Sequence, residues 1–218
     1  MVKIERSYPP PKSLSLKRSY KERDVIERLR KDFFGKCYIC GLNQLPDINV
    51  EHLLPHKEDI IKKFDWDNLF LSCPHCNSVK NKKEYEDKIL DCCKIDPEEK
   101  INFEFNEEDI NIFSKDESDE KAVQTSKLIY EVFNIKNTGI REYTSYFRFK
   151  ALQEEMLIFF NILEEYNREK NNFSLRSLKE KLKRESRFAA FKRNYMRKNI
   201  KKYSEFKEIL EYNNTIKK

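Results

Sequence analysis

Two C-x2-C pairs constrain this chain more than any other feature: Cys37 with Cys40 and Cys73 with Cys76, with 32 residues between Cys40 and Cys73. Each pair sets two thiols on a tight knuckle, and two knuckles supply the tetrahedral sulfur set that zinc takes in a closed structural site. Such a cage ties residue 37 to residue 76, so the long insertion between them must fold back as a compact unit. Disulfides are the competing use of cysteine. The N-terminal MVKIERSYPPPK has neither an apolar signal core nor a small-residue cleavage site, and no run approaches the roughly 18 apolar residues of a membrane span. A reducing, cytoplasmic setting and metal chemistry are therefore expected. Cys92 and Cys93 are read as buried or free thiols, because the first four already fill a site.

The expected architecture is α+β, a small zinc-stabilised unit followed by an all-helical C-terminal domain. Pro9, Pro10 and Pro11 favour an extended arm over residues 1–21, with no core expected there. Val25, Ile26, Leu29 and Phe33 recur at three and four, which predicts a helix over 22–34 stopped by Gly35. Short apolar runs at 50–54 and 68–71 predict two strands joined by a charged loop, and residues 77–90 contain no helix breaker. The unit then spans 22–95. An acidic connector over 96–120 carries the alternating INFEF, a short strand, and then a loop. Over 121–213 the pattern turns helical: one helix on Val123, Leu128 and Val132, a longer one from Phe149 to Tyr166, and a third capped by Ser174 and running to Tyr195.

Between and just after the knuckles stand VEHLLPH, WDNLFL and CPHCNSVK. In order they supply Glu51 and His52, Asn68, then Asn77 and Lys80. Each has a bland reading alone: Glu51 and His52 a surface pair, Asn68 a turn residue, Asn77 a helix cap. Together, from Cys37 to Lys83, they resemble an HNH nuclease, whose ββα-metal unit is often buttressed by a four-cysteine zinc site. The resemblance covers about a fifth of the chain. It implies phosphodiester hydrolysis in DNA, with RNA left open, with His52 as general base and one divalent metal, Mg2+ or Mn2+, held by Glu51 and Asn77. Asn68 would orient the loop or the His52 ring, and Lys80, Lys82 and Lys83 would meet substrate phosphates. The family more often has Asp or His where Glu51 stands, and His where Asn77 stands. Strand alternation separates Glu51 from His52, so the strand end is expected to twist or the metal to sit at its tip. His56 is read as an auxiliary ligand, a phosphate contact or an exposed residue. His75 is read as a substitute for one thiolate or a surface residue.

The net charge of +6 is unevenly spread. Residues 1–85 carry 17 basic and 12 acidic groups, 86–120 carry 4 and 14, and 141–218 carry 20 and 11. Basic ends suit a polyanion, although a solvated helical surface looks the same in composition. In RESRFAAFKRNYMRKNIKKY the aromatics are read as core, and Arg187, Lys192, Arg193 and Arg197 as a DNA-backbone patch. Size and arrangement also resemble, more weakly, the PtuB-type HNH components of Septu-like anti-phage systems, which work beside an ATPase. That likeness would make the helical domain or the arm a docking surface, with the acidic segment shielding the active site. The alternative reading is a zinc-stabilised module that binds nucleic acid or protein and cuts nothing.

Overall fold

The structure, a computed structural model, describes residues 1–45, 47–134 and 140–211, with the side chains of 140 and 141 outside the description. Residues 212 and 213, the end of the expected helical domain, lie outside the described residues. Helix α1 (Arg23–Asp32) buries Val25 and Leu29 and stops where Phe34 and Gly35 turn to positive φ, +55° and +63°. The first knuckle follows, turned by Gly41 at φ +76° and tied to the sheet by the Tyr38 N–H on the Leu71 carbonyl. Strands β1 (Asn49–His52) and β2 (Leu69–Ser72) pair antiparallel, with Glu51 opposite Phe70 and His52 opposite Leu69. All four β2 residues are buried, as an uninterrupted LFLS run requires, because both faces are covered. Between the strands the loop contains one helical turn, α2 (Ile60–Lys63), capped by Asp59.

Helix α3 (Pro74–Lys80) begins at the second knuckle with Pro74 in its first turn, where a missing N–H costs nothing. It ends at Asn81 and does not continue to residue 90. Strand, strand and helix thus form a ββα unit with the cysteine cage at its base, and mixed helix with small strands describes the whole chain.

Three expectations are corrected. The N-terminal residues are not a coreless arm: Val2, Ile4 and Leu14 are buried, and the Ile4 N–H reaches the Cys92 carbonyl. Arg6 fixes the segment by donating to the carbonyls of Trp66 and Leu69, both at 2.8 Å, with its guanidinium over Phe70. The acidic segment is not mostly loop. It forms a turn, α4 (Pro97–Lys100), and a hairpin of β3 (Ile101–Phe105) with β4 (Ile110–Ser114), whose buried Ile101, Phe103, Ile110 and Ile112 pack toward α5 (Glu120–Phe133) and α8 (Ala189–Lys198). The third expected helix is two: α7 (Asn172–Leu182) and α8, broken at Phe188 with φ +50°. Lys36 holds that break by donating to the carbonyls of Arg184 and Ser186, and the Phe188 N–H reaches the Gly41 carbonyl. The α7 cap is Asn171, whose side chain accepts from the Ser174 N–H, so Ser174 sits inside the first turn.

The long helix α6 (Ile140–Glu169) and the short α9 (Lys207–Glu211) complete the chain. Phe188 and Phe191 are core, as expected, and pack against Phe133. No described helix is long and apolar enough to cross a membrane.

Candidate active site and cysteine cage

The sulfurs of Cys37, Cys40, Cys73 and Cys76 all lie within 4.8 Å of one another and all four residues are buried. That is the donor set and closeness a tetrahedral zinc needs. Among the described residues Arg148 on α6 also reaches the cluster, donating from Nη2 to Cys73 Sγ at 3.0 Å and from Nη1 to the Thr144 carbonyl at 2.7 Å. Sequence reasoning missed Arg148. Its one sequence signal is that it falls next to the apolar Phe149 and four residues before Leu152, on the face of the helix that turns inward. His75 is neither a ligand nor a free surface group. Its Nε2 donates to the Val132 carbonyl (3.1 Å) and its Nδ1 accepts from the Thr144 hydroxyl (2.8 Å), tying α3 to α5 and α6.

The top of the unit opens into a cavity of about 530 Å³ lined by Glu51, His52, His56, Asn77 and Lys80, with Lys21, Lys57 and Lys83 among its other residues. Glu51 and His52 both line this opening although they are consecutive, and Lys80 of α3 sits against both, 3.9 Å from a Glu51 oxygen and on the His52 carbonyl. Glu51 is buried, and neither of its carboxylate oxygens accepts a hydrogen bond. Burial pushes its carboxyl above the ordinary range, with the Lys80 charge offsetting part of the rise. A buried carboxylate with two idle oxygens costs free energy unless something cationic meets it. Lys80 Nζ is 3.9 Å away, too far for a hydrogen bond, and is already donating to the His52 carbonyl at 2.9 Å. Glu51 and Asn77 both line the opening, and carboxylate and amide oxygens are hard donors.

His52 donates from Nε2 to the Lys63 carbonyl at 3.0 Å. A carbonyl only accepts, so this contact puts the proton on Nε2 and leaves the Nδ1 lone pair for a proton from elsewhere. Burial lowers the pKa of His52, which keeps the ring neutral near pH 7. The rings of Tyr20 and His56 flank it, each with its centroid 4.7 Å away. Asn68 does not touch the ring. Its side chain accepts from the Leu54 N–H (2.8 Å) and donates to the carbonyls of Leu54 (2.9 Å) and Lys62 (3.1 Å), clamping both ends of the loop that carries Lys63.

The basic residues separate sharply. Lys83 is exposed at the cavity rim, Lys82 is paired with Glu131, and Lys80 is a buried strut, not a surface contact. The expected patch in α8 fails. Lys192 is fully buried on Glu155, and Arg193 is 1% exposed, with its Nε on both oxygens of Glu98. Arg197 also binds Glu98, and Arg187 lies over the Phe188 ring. Lys192 thus neutralises the buried Glu155 of α6, and Arg193 and Arg197 the buried Glu98 of the acidic segment. No residue of 96–120 lines the cavity, so the segment does not shield it.

A family model described as HNH endonuclease matches residues 37–83, the span from the first knuckle to the cavity rim. That span is an HNH endonuclease domain, which implies a metal-dependent nuclease unit acting on nucleic acid. No curated protein and no solved structure matches the chain.

Proposed function

We propose that the chain is a metal-dependent endonuclease that hydrolyses phosphodiester bonds in DNA, with His52 as general base and Glu51 and Asn77 holding one Mg2+ or Mn2+. The observation that carries this is the orphaned, buried Glu51 carboxylate beside a histidine whose tautomer is fixed with Nδ1 free. When bound, the cation would supply Lewis-acid stabilisation of the charge developing on the phosphate and on the leaving oxygen. His52 Nδ1 takes the proton of the attacking water, and its Nε2–H stays on the Lys63 carbonyl throughout. Asn68 positions His52 indirectly, by holding the loop that presents that carbonyl. The cysteine cage is structural: it fixes Cys76 one residue before Asn77, and so sets the start of α3.

His56 is a phosphate contact in this reading. Its Nδ1 accepts from the Glu58 N–H at 3.1 Å, which places its own proton on Nε2 as a donor. Its ring lies 4.7 Å from that of His52 and lines the same cavity, where its Nε2–H would be offered to a non-bridging oxygen. His56→Phe keeps the ring against His52 and loses the donor, whereas His56→Gln keeps a donor; a greater loss of kcat in Phe than in Gln is expected.

The direct test of the metal pair is Glu51→Gln with Asn77→Ala in plasmid cleavage. Each is expected to lower cleavage by ~10²-fold or more and raise the Mg2+ needed, with the zinc content unchanged. Activity equal to wild type in both would sink the assignment. A defence setting with an ATPase partner rests on the weaker likeness, and co-purification of an ATPase with the full chain tests it.

A further inference from the structure

Helix α6 is 30 residues long, and one of its faces is left exposed by the described residues. The exposed positions are Tyr143, Phe147, Lys150, Glu154, Leu157 and Asn161, alternately four and three residues apart, which is the seam spacing of a two-helix coiled coil. Tyr143 is 75%, Phe147 57% and Leu157 61% exposed, with Tyr146 and Ile158 exposed beside them. A solvated helix face carries polar residues at such positions.

The seam is also complementary to itself. About a two-fold axis beside Leu152, a second α6 laid antiparallel brings each seam residue opposite the one equally far from 152 on the other side. Phe147 then meets the partner's Leu157 and Lys150 the partner's Glu154, each contact occurring twice as an isologous interface requires. Lys150 stands over the Tyr146 ring, 5.5 Å from its centroid, and neither Lys150 nor Glu154 has an ion pair among the described residues. The apolar residues flank the charged pair on both sides, so a shifted register would lose the ion pairs and misalign the apolar contacts together.

We propose that this face joins two copies of the chain through an antiparallel α6–α6 seam centred on Leu152. The inference is independent of the catalytic reading. The opposite side of the same helix carries Arg148 to Cys73 and Thr144 to His75, so the seam backs directly onto the cysteine cage. Each copy keeps its own complete cavity.

Sedimentation velocity on the full chain at micromolar concentration tests this. Wild type is expected to sediment as a dimer, and Phe147→Glu and Leu157→Glu to weaken association by about 30-fold or more. Lys150→Glu sets like charges opposite each other twice and is expected to weaken it by about tenfold. The double variant Lys150→Glu with Glu154→Lys restores opposite charges in this register alone and is expected to recover the dimer. All four positions are exposed, so matched thermal melting separates association from folding. A monomeric wild type overturns the proposal and leaves the face to another protein. A dimer indifferent to Phe147→Glu, or a double variant no better than Lys150→Glu, overturns it too.

Discussion

Replacing Asn68 by Ala removes three side-chain hydrogen bonds, of 2.8, 2.9 and 3.1 Å, from a residue that is 6% exposed. At about 1 kcal/mol net for each bond, the loss of folding stability should be about 3 kcal/mol. With a urea m value of ~2–3 kcal/mol per M, the unfolding midpoint should fall by about 1–1.5 M. The effect on catalysis is separate and should be larger than the stability change suggests. Without the clamp at Leu54 and Lys62, the Lys63 carbonyl no longer holds the proton on His52 Nε2, and general-base catalysis of the ~10²–10⁴-fold kind is lost. Single-turnover plasmid cleavage under conditions where the variant is folded should therefore fall by about 10²-fold, with DNA affinity little changed. Asn68→Asp is the sharper control: it keeps the acceptor for the Leu54 N–H but faces two carbonyls with a carboxylate, and should be at least as damaging. An Asn68→Ala protein cutting within a few-fold of wild type would refute the view that this residue acts through the loop.

Glu98→Gln leaves the buried Arg193 without its charge partner and should cost about 3–5 kcal/mol, read from urea denaturation. Burial alone would raise the Glu98 pKa, but Arg193 and Arg197 overcome it and hold the group below its ordinary 4.5. Its contribution is therefore present above pH 4.5 and is lost as pH falls through the depressed value, so the wild-type stability curve should fall more steeply there than that of Glu98→Gln. Arg148→Ala should release zinc to a chromogenic chelator at ~10–100-fold lower chelator concentration, since it deletes the one outer donor found on Cys73. Lys192→Met should leave DNA binding and its salt dependence unchanged, because that ammonium is buried on Glu155. Lys83→Ala should reduce the slope of log affinity against log salt by about one.

What the sequence made legible was local. Glu51, His52, Asn68 and Asn77 were singled out through the resemblance that their order carries, whereas the knuckle spacing could be read directly, because a C-x2-C pair is fixed by short-range geometry. The strands were placed within two residues for the same reason, since short apolar runs between turn residues have few other fates. What could not be read was pairing at long range. Lys192 and Arg193 look like any exposed basic stretch until Glu155 and Glu98, far along the chain, are placed against them. Helical periodicity ran unbroken from Ser174 to Tyr195 because the break is imposed from outside, by Lys36 and Gly41 of the first knuckle. An Asn acting through backbone carbonyls, as Asn68 does, leaves no spacing pattern at all.

The most direct measurement of the central claim is cleavage of supercoiled plasmid by the purified chain and by His52→Ala, each with Mg2+, Mn2+ or EDTA, with zinc counted by mass spectrometry. The account predicts nicking or linearisation that requires added divalent metal, disappears in His52→Ala, and comes from a protein carrying about one zinc in both forms. Cleavage that survives in His52→Ala, or wild type that holds zinc and cuts nothing under any of these metals, would contradict it.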